Sequence, residues 1–296
     1  MLFVRIFSAP KIASIKVSLD EMTRFLQLIG DKESNLAPEF ALNVQGYIPN
    51  KDKVAGLHLP RVPAVLADLN EGEENGLVTL SMYWMGDSNP DDRVGMQYIK
   101  DEIVPLFSNA SEIDNIAYYY FSWSGMSRER EQNVEMKSVW SAQSWNGFLL
   151  PSNNTQEIWM DIQSSMSAMF MYCKFVSPRI ELWGGAISKI PSNATVFPHR
   201  NAVYNVGIDV IVPTESDADT ANDEINLVNA IWPSIERHLN GVYINYPMKS
   251  LSDVLYPTAY WGGNLDRLVS LTERYDPNHV LKVSQSVPTA TNNTTS

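Results

Sequence analysis

The stretch AVYNVGIDVIV, residues 202–212, is the clearest strand signal in this chain. Large apolar side chains fall on every second position: Tyr204, Val206, Ile208, Val210 and Val212. Asn205, Gly207 and Asp209 lie between them, and successive side chains of a strand point to opposite faces. One apolar face and one half-polar face are typical of an antiparallel sheet that packs on a core on one side only.

Outward from this strand, alternation and runs of β-branched and aromatic residues predict further strands at residues 2–8, 12–17, 39–48, 62–68, 77–85, 116–123 and 168–176. Helical spacing predicts four helices: one from the Ser18–Glu21 capping box to a stop at Gly30, one that starts near Ser88 and carries Leu106, one over 154–165, and one over 217–239 with a kink at Pro233. Strands and helices mix without strict β-α-β alternation. We therefore predict an α+β fold, an antiparallel β-sheet covered by helices on one face.

The composition excludes several classes of protein. The 296 residues are 44% hydrophobic and 19% charged, which is typical of a globular chain. The formal net charge is −12 and the isoelectric point is about 4.8. So acidic a surface repels phosphate backbones, and no nucleic acid partner is expected. No membrane partner is expected either, because no apolar run approaches the ~20 residues of a membrane span.

Common catalytic and metal-binding motifs are absent from the sequence. There is no G-x-G-x-x-G, no P-loop and no G-x-S-x-G. The four histidines show no i,i+4 pairing, so no metal site is expected. The single cysteine, Cys173, cannot form an intrachain disulfide, and we expect it to be buried in the predicted strand 168–176.

Five Asn-X-Ser/Thr sequons point to a secreted glycoprotein: Asn109, Asn153, Asn193, Asn292 and Asn293. The first residues, MLFVRIFSAPKIA, do not form a signal peptide, since their apolar stretch is shorter than the ~7–15 residues required. The localisation of the chain as it stands is therefore left open.

Two sets of short blocks carry a denser pattern. Near the C-terminus, Tyr243-Ile244-Asn245-Tyr246 is followed by Tyr260-Trp261-Gly262-Gly263-Asn264, Arg267-Leu268 and Tyr275-Asp276-Pro277-Asn278. Upstream, Trp183-Gly184-Gly185 precedes Asn193-Ala194-Thr195-Val196-Phe197-Pro198-His199-Arg200. In this order and spacing the blocks resemble the berberine-bridge-enzyme-like FAD-linked oxidases of the vanillyl-alcohol-oxidase superfamily.

The resemblance implies an enzyme in which a flavin domain holds FAD and a second domain, an antiparallel sheet backed by helices, binds the substrate. Residues 1–240 would form that substrate-binding domain, 241–287 a C-terminal segment that contacts the cofactor, and 288–296 a disordered tail. No counterpart of the N-terminal FAD-binding domain is recognised, so we expect the chain to be the C-terminal half of such an oxidase. Members of the family are typically extracellular or secretory.

The resemblance also implies roles for single residues. Tyr246 would be the catalytic base, while Tyr243 and Asn245 contact the flavin. Tyr260 and Asn264 would also reach the flavin, although Asn264 could instead cap the last helix. The substrate side would be lined by Glu181, Trp183, Tyr204 and Val206. Packing is the competing interpretation for each of these side chains, and His199 and Arg200 are expected to be structural.

Three points bear on these roles. Some plant relatives carry a glutamate base where this chain has Val206, which favours Tyr246 as the base. A phenol has an ordinary pKa of about 10, so the site would have to lower the pKa of Tyr246 for it to act as a base near neutral pH. In a regular strand Tyr243 and Asn245 would face away from Tyr246, so an irregular segment or a bulge is needed.

The complete enzyme would oxidise an alcohol, a sugar-like compound or a secondary metabolite, pass a hydride to FAD, and be reoxidised by O₂. The alternative is a catalytically silent protein, truncated from such an oxidase, that binds a ligand or a partner without holding FAD.

Overall fold

The computed structural model describes residues 11–37, 39–48, 77–84, 94–108, 117–120, 139–173, 175–213, 218–281 and 283–289. The strands predicted at 2–8 and 62–68 lie outside these ranges, as does most of the predicted tail 288–296.

The described strands form one antiparallel sheet. In chain order they are β1 (Lys11–Ser18), β2 (Phe40–Ile48), β3 (Leu77–Trp84), β4 (Ala117–Tyr120), β5 (Val139–Leu149), β6 (Val176–Leu182) and β7 (Tyr204–Pro213). Their spatial order is β4-β1-β3-β2-β6-β7-β5, and every neighbouring pair is antiparallel. The predicted α+β class and antiparallel sheet are confirmed.

The helices are α1 (Leu19–Asp31), α2 (Val94–Tyr98), α3 (Gln156–Tyr172), α4 (Ala218–Ile231), α5 (Pro233–Glu236), α6 (Tyr256–Trp261) and α7 (Leu265–Tyr275). A π-helical turn, Ile99–Ile103, and a 3-10 turn, Val104–Leu106, continue α2. The predicted Ser18 cap of α1 is confirmed, because the Ser18 hydroxyl accepts the N–H of Glu21 at 3.2 Å. The predicted kink at Pro233 is a break, with α5 starting at the proline.

One face of the sheet is the core of the molecule. The predicted apolar set of β7, from Tyr204 to Val212, is buried there. The neighbouring strands add Leu42, Val44, Leu80, Met82, Trp145, Leu149 and Ile180. Helix α1 covers this face with the stripe Met22, Phe25, Leu26 and Ile29, and it packs against α3. Helices therefore cover the face of the sheet that the alternation in 202–212 marks as apolar.

The strand predicted at 168–176 is wrong, since only its last residue, Val176, lies in a strand. Helix α3 runs on to Tyr172, Cys173 follows it as the C-cap, and the strand is β6, Val176–Leu182. The buried residues Met166, Met169 and Cys173 recur at helical spacing, so this apolar run buries one stripe rather than two faces. The helix predicted over 154–165 thus continues to Tyr172, and within it the Ser165 hydroxyl donates to the Asp161 carbonyl at 2.9 Å.

Candidate active site

The face of the sheet opposite the helices, here called the open face, carries a row of polar residues on β2, β6, β7 and β5. Asn43 of β2 pairs with Glu181 of β6, and Glu181 pairs with Asn205 of β7. Two residues before Glu181 on β6, Arg179 pairs with Gly207 of β7, and Gly207 pairs with Asn146 of β5. Since residues directly opposite one another in neighbouring strands share a face, the register alone gathers these side chains into one patch.

Arg179 is the buried cation of this patch, with 7% of its surface exposed. Its Nε donates to Asp209 Oδ2 at 3.0 Å and its Nη1 donates to Asn205 Oδ1 at 2.9 Å. Nη1 also lies 3.6 Å from Glu181 Oε2. A Cβ on Gly207 would come within 2.8 Å of Arg179 Nη2, so a glycine at this position leaves the space that the guanidinium fills.

Tyr246 lies on this patch with its hydroxyl directed at Glu181. The phenol O–H donates to Glu181 Oε1 at 3.1 Å, and the Arg179 guanidinium carbon is 3.7 Å from the centroid of the phenol ring. Burial raises the pKa of Tyr246, and the negative charge of Glu181 raises it further, while Arg179 opposes both. The expectation of a lowered phenol pKa is therefore wrong, and in this arrangement Tyr246 holds its proton.

Asn146 fixes the segment that carries Tyr246. Its Oδ1 accepts the backbone N–H of Tyr243 at 2.9 Å, and its Nδ2 donates to the Tyr246 carbonyl at 2.8 Å. The Tyr246 N–H also closes a turn onto the Tyr243 carbonyl at 2.9 Å. The segment is thus a turn and not a strand, which removes the conflict between the predicted faces of Tyr243, Asn245 and Tyr246.

Aromatic side chains form a wall beside this turn. Trp183 packs edge-on to Tyr243, with ring centroids 4.7 Å apart, and to Phe148 at 5.0 Å. Tyr243 in turn packs edge-on to Tyr246 at 5.3 Å. The structure therefore brings the predicted residues Glu181, Trp183, Tyr243 and Tyr246 together.

His199 is a structural residue behind the aromatic wall. Its ring stacks on Phe148 at 4.6 Å, and its Nε2 hydrogen-bonds the Ala259 carbonyl at 3.0 Å. Gly241 passes directly against the ring with a φ of 59°, and burial lowers the pKa of His199. The ring therefore joins the segment that follows Gly184-Gly185 to the C-terminal segment.

Tyr204 and Val206 do not belong to the open face, and their predicted place on the substrate side is corrected. Both are fully buried on the core face. The Tyr204 hydroxyl donates to the Leu26 carbonyl of α1 at 2.7 Å, and its ring packs edge-on to Trp159 at 5.5 Å. The alternation of β7 places Asn205 and Gly207, not Tyr204 and Val206, beside Tyr246.

The four predicted flavin contacts divide into two pairs. Tyr243 is half-buried and Asn245 is exposed, with the Asn245 amide donating to the Tyr243 hydroxyl at 2.6 Å. Both remain accessible at the rim of the open face.

Tyr260 and Asn264 are occupied within the protein, which corrects their predicted role. Tyr260 is 2% exposed, and its hydroxyl donates to Gln285 Oε1 at 2.7 Å and accepts the Met248 N–H at 3.1 Å. The Asn264 amide donates to the carbonyls of Ser192 and Thr195 and makes no capping bond to α7. These two side chains hold the C-terminal segment together.

Four residues of the patch were missed by sequence reasoning: Arg179, Asn205, Asp209 and Asn146. For Asn205 and Asp209 the signal was the half-polar face of 202–212, which marks them as neighbours of any site on that face. For Arg179 and Asn146 the place depends on the cross-strand register, which no local pattern supplies.

The open face fits a bound molecule that donates hydrogen bonds. Asn43 Oδ1 and Glu181 Oε2 are buried acceptor atoms without a hydrogen-bond partner among the described residues. Such atoms are costly unless a donor reaches them, and both a substrate hydroxyl and the ring N–H of a flavin are donors.

Within the described ranges no group of three or more His, Cys, Asp and Glu side chains could hold a metal ion. Nor does any helix there have the length and apolarity to cross a bilayer.

Comparisons with known proteins give a family match for the C-terminal segment, remote relatives and solved structures of the same fold. Residues 242–288 match the family described as "Berberine and berberine like". An uncharacterised FAD-linked oxidoreductase of Bacillus subtilis, YvdP, is 24% identical over 158 residues, which are 53% of this chain and 32% of that protein.

Two solved structures share the fold. A chitooligosaccharide oxidase is matched with a TM-score of 0.68 and 15% identity over 96% of this chain and 56% of that one. The berberine bridge enzyme of Eschscholzia californica is matched with a TM-score of 0.65 and 16% identity, over 95% and 55% respectively. The chain thus spans little more than half the length of these two proteins.

Proposed function

We propose that this chain is part of a berberine-bridge-enzyme-like FAD-linked oxidoreductase, and that its open face is the substrate side of a flavin-dependent oxidation site. The observation that carries this proposal is the 3.1 Å hydrogen bond from Tyr246 to Glu181 on that face. The oxidation of an alcohol requires a group that accepts the hydroxyl proton. The Tyr246–Glu181 pair is such an acceptor within reach of a ligand on the open face.

The proposed chemistry begins with the hydroxyl of an alcohol or sugar-like substrate against Tyr246 Oη. As the substrate O–H proton moves to Tyr246 Oη, the phenol proton moves to Glu181 Oε1. A phenol with a raised pKa can serve in this way, because its own proton has a carboxylate to go to. When bound, FAD supplies the acceptor for the hydride that leaves the substrate carbon.

Other residues of the patch would bind and orient. The buried acceptors Asn43 Oδ1 and Glu181 Oε2 suit a second donor group of the substrate, and the Trp183 ring offers an apolar surface beside it. Tyr243 and Asn245 at the rim are the residues we assign to the flavin. With FAD bound, O₂ would be the final acceptor: the two electrons and the proton of the hydride, together with the proton left on Glu181, would reduce it to H₂O₂.

Flavin binding tests this proposal. The holoenzyme, in which these residues are joined to a flavin domain, is titrated with FAD while the flavin fluorescence is followed, and candidate alcohols and sugars are then added without oxygen. We expect FAD to bind and its visible absorbance to bleach with at least one substrate. A protein that takes up no FAD contradicts the proposal.

The second candidate is a protein that binds a ligand without catalysis. It is favoured by the same two buried acceptor atoms, since they require a hydrogen-bond donor but no reaction. Such a protein would bind a polyol or sugar in calorimetry in the absence of FAD, and Tyr246→Phe would leave that affinity within about twofold, because its phenol would serve no reaction.

We further propose that the protein is secreted and carries a glycan at Asn193. Asn193 is exposed, whereas the amide nitrogen of the sequon residue Asn153 donates to the His238 carbonyl at 2.8 Å. In a secretory expression host, Asn193→Gln should remove one glycan from the endoglycosidase-sensitive mass of the protein, and Asn153→Gln should leave that mass unchanged. An endoglycosidase-sensitive mass that is unchanged in Asn193→Gln contradicts this assignment.

A further inference from the structure

Arg179 is fixed by hydrogen bonds to side chains of the neighbouring strand, in addition to its packing. Two groups of β7 fix its guanidinium: Asp209 through Nε, at 3.0 Å, and Asn205 through Nη1, at 2.9 Å. Asp209 also receives a longer bond from Nη2 at 3.4 Å. These bonds to two residues, here called the two-sided hold, fix the plane of the guanidinium group against a neighbouring ring. A lysine ammonium is not planar and could not be oriented in this way.

That neighbouring ring is Tyr246. The guanidinium carbon lies 3.7 Å from the ring centroid, which is direct contact, and 93% of the arginine surface is withdrawn from water. A cation in contact with an aromatic face is attracted to it more strongly when both are desolvated. The absence of a side chain at Gly207 keeps this position open.

The groups around Tyr246 come from three parts of the chain. Strand β6 supplies the charges of Arg179 and Glu181, and Asn146 of β5 binds the Tyr246 carbonyl. Asn205 of β7 acts through Arg179, to which it is bonded. The segment of Tyr246 itself supplies Tyr243. The Asp209 carboxylate of β7 is paired with the Arg179 guanidinium, which lies between it and Tyr246. Arg179 is therefore the one positive charge among these groups, and it opposes Glu181.

We propose that Arg179 is a positioning residue for proton transfer, which fixes the Tyr246 ring and its hydrogen bond to Glu181 and stabilises negative charge on the phenol oxygen. Its catalytic consequence rests on the proposed function, but its electrostatic effect does not. A charge that lies within contact distance of a titrating group shifts the titration of that group by about one to three pH units.

The test is the titration of Tyr246 in the protein without FAD or substrate. Ring-labelled tyrosine is followed by NMR against pH, and the signal that Tyr246→Phe removes is assigned to Tyr246. Arg179→Gln should raise its midpoint by about one unit or more. Arg179→Lys keeps the charge but loses the two-sided hold, so its midpoint should fall between those of the original protein and Arg179→Gln.

Arg237→Gln is the matched control, because it removes one positive charge from an exposed pair with Asp161. It should leave the midpoint unchanged. An Arg179→Gln midpoint equal to that of the original protein overturns the proposal, as does an equal effect of Arg237→Gln. If Arg179→Gln does not fold, Arg179→Lys decides the question, and a midpoint equal to that of the original protein then overturns the proposal. Since no flavin is present, these results are independent of whether the protein oxidises a substrate.

Discussion

Tyr246 and Glu181 are 65 positions apart in the chain, yet the phenol donates to the carboxylate at 3.1 Å on the open face of the sheet. Two local structures produce this contact. The alternation of β6 directs Glu181 to the open face, and the Asn146 bridge folds the turn that carries Tyr246 back onto the same face. The pair combines a proton donor with a carboxylate acceptor and lies beside Asn43 Oδ1, a buried acceptor atom without a hydrogen-bond partner in the described ranges.

Removal of the phenol hydroxyl should slow the proposed oxidation without preventing flavin binding. Tyr246→Phe keeps the ring over Arg179 but leaves the substrate proton without an acceptor, so substrate-driven flavin reduction should fall by about 10²-fold or more. Anaerobic stopped-flow absorbance measures this rate. Tyr172→Phe is the control, because Tyr172 is an exposed side chain at the end of α3, and its rate should equal that of the original protein.

Neutralising the carboxylate should move the titration of Tyr246 in the opposite direction to Arg179→Gln. The negative charge of Glu181 raises the pKa of Tyr246, so Glu181→Gln should lower the midpoint of the phenol. The same variant should slow flavin reduction by about 10- to 10²-fold, since the proton then has no anionic acceptor. A midpoint that rises in Glu181→Gln would show that the carboxylate does not act on Tyr246.

Gly241→Ala should destabilise the protein at the contact with His199. Gly241 has a φ of 59°, and an added Cβ would overlap the His199 ring. The left-handed conformation costs an L-residue about 1–2 kcal/mol, and displacement of the ring from Phe148 adds about 1–3 kcal/mol. Gly263→Ala is the control, because nothing lies within 4 Å of its Cβ and its φ is not in that region. Denaturant unfolding should show a difference of about 2–5 kcal/mol between the two variants, and equal stabilities would contradict this packing.

Tyr204→Phe should affect stability and not substrate binding. The Tyr204 hydroxyl bonds the Leu26 carbonyl in the core, and loss of a buried hydrogen bond costs about 1–3 kcal/mol. The KM for substrate should be unchanged, because Tyr204 lies on the face opposite Tyr246. A raised KM at unchanged stability would instead support the original assignment of Tyr204 to the substrate side.

Cys173 should make the protein lose stability at alkaline pH. Burial, and to a smaller extent Glu224, raise the pKa of its thiol to about 12 from an ordinary 9.0. Because the folded pKa lies above the unfolded one, this contribution is complete below about pH 9 and is lost as the pH rises toward 12. In urea unfolding at a series of pH values, the free energy of unfolding of Cys173→Ala should fall less steeply over that range than that of the original protein. An equal decline in the two proteins would mean that folding does not raise the pKa of the Cys173 thiol.

The sequence predicts much of the local structure and only part of the site, and it misses β5 and nearly all of β6. Alternation in 202–212 identifies the core face of β7 correctly, because one period-2 strand contains all the information about its two faces. The apolar run before Cys173 was misread as a strand, since a short run does not reveal how many of its faces are buried. The contacts of Arg179 and Asn146 depend on register between strands distant in sequence. Family blocks located Tyr246 and Glu181, but the sign of the phenol pKa shift required their packing.

Substrate-driven flavin reduction in the FAD-loaded protein, compared with that in its Tyr246→Phe variant, tests the central claim most directly. The account predicts that both proteins bind FAD, that a substrate bleaches the flavin of the original protein in the absence of oxygen, and that the variant does so about 10²-fold more slowly. Equal rates of bleaching in the two proteins would contradict it.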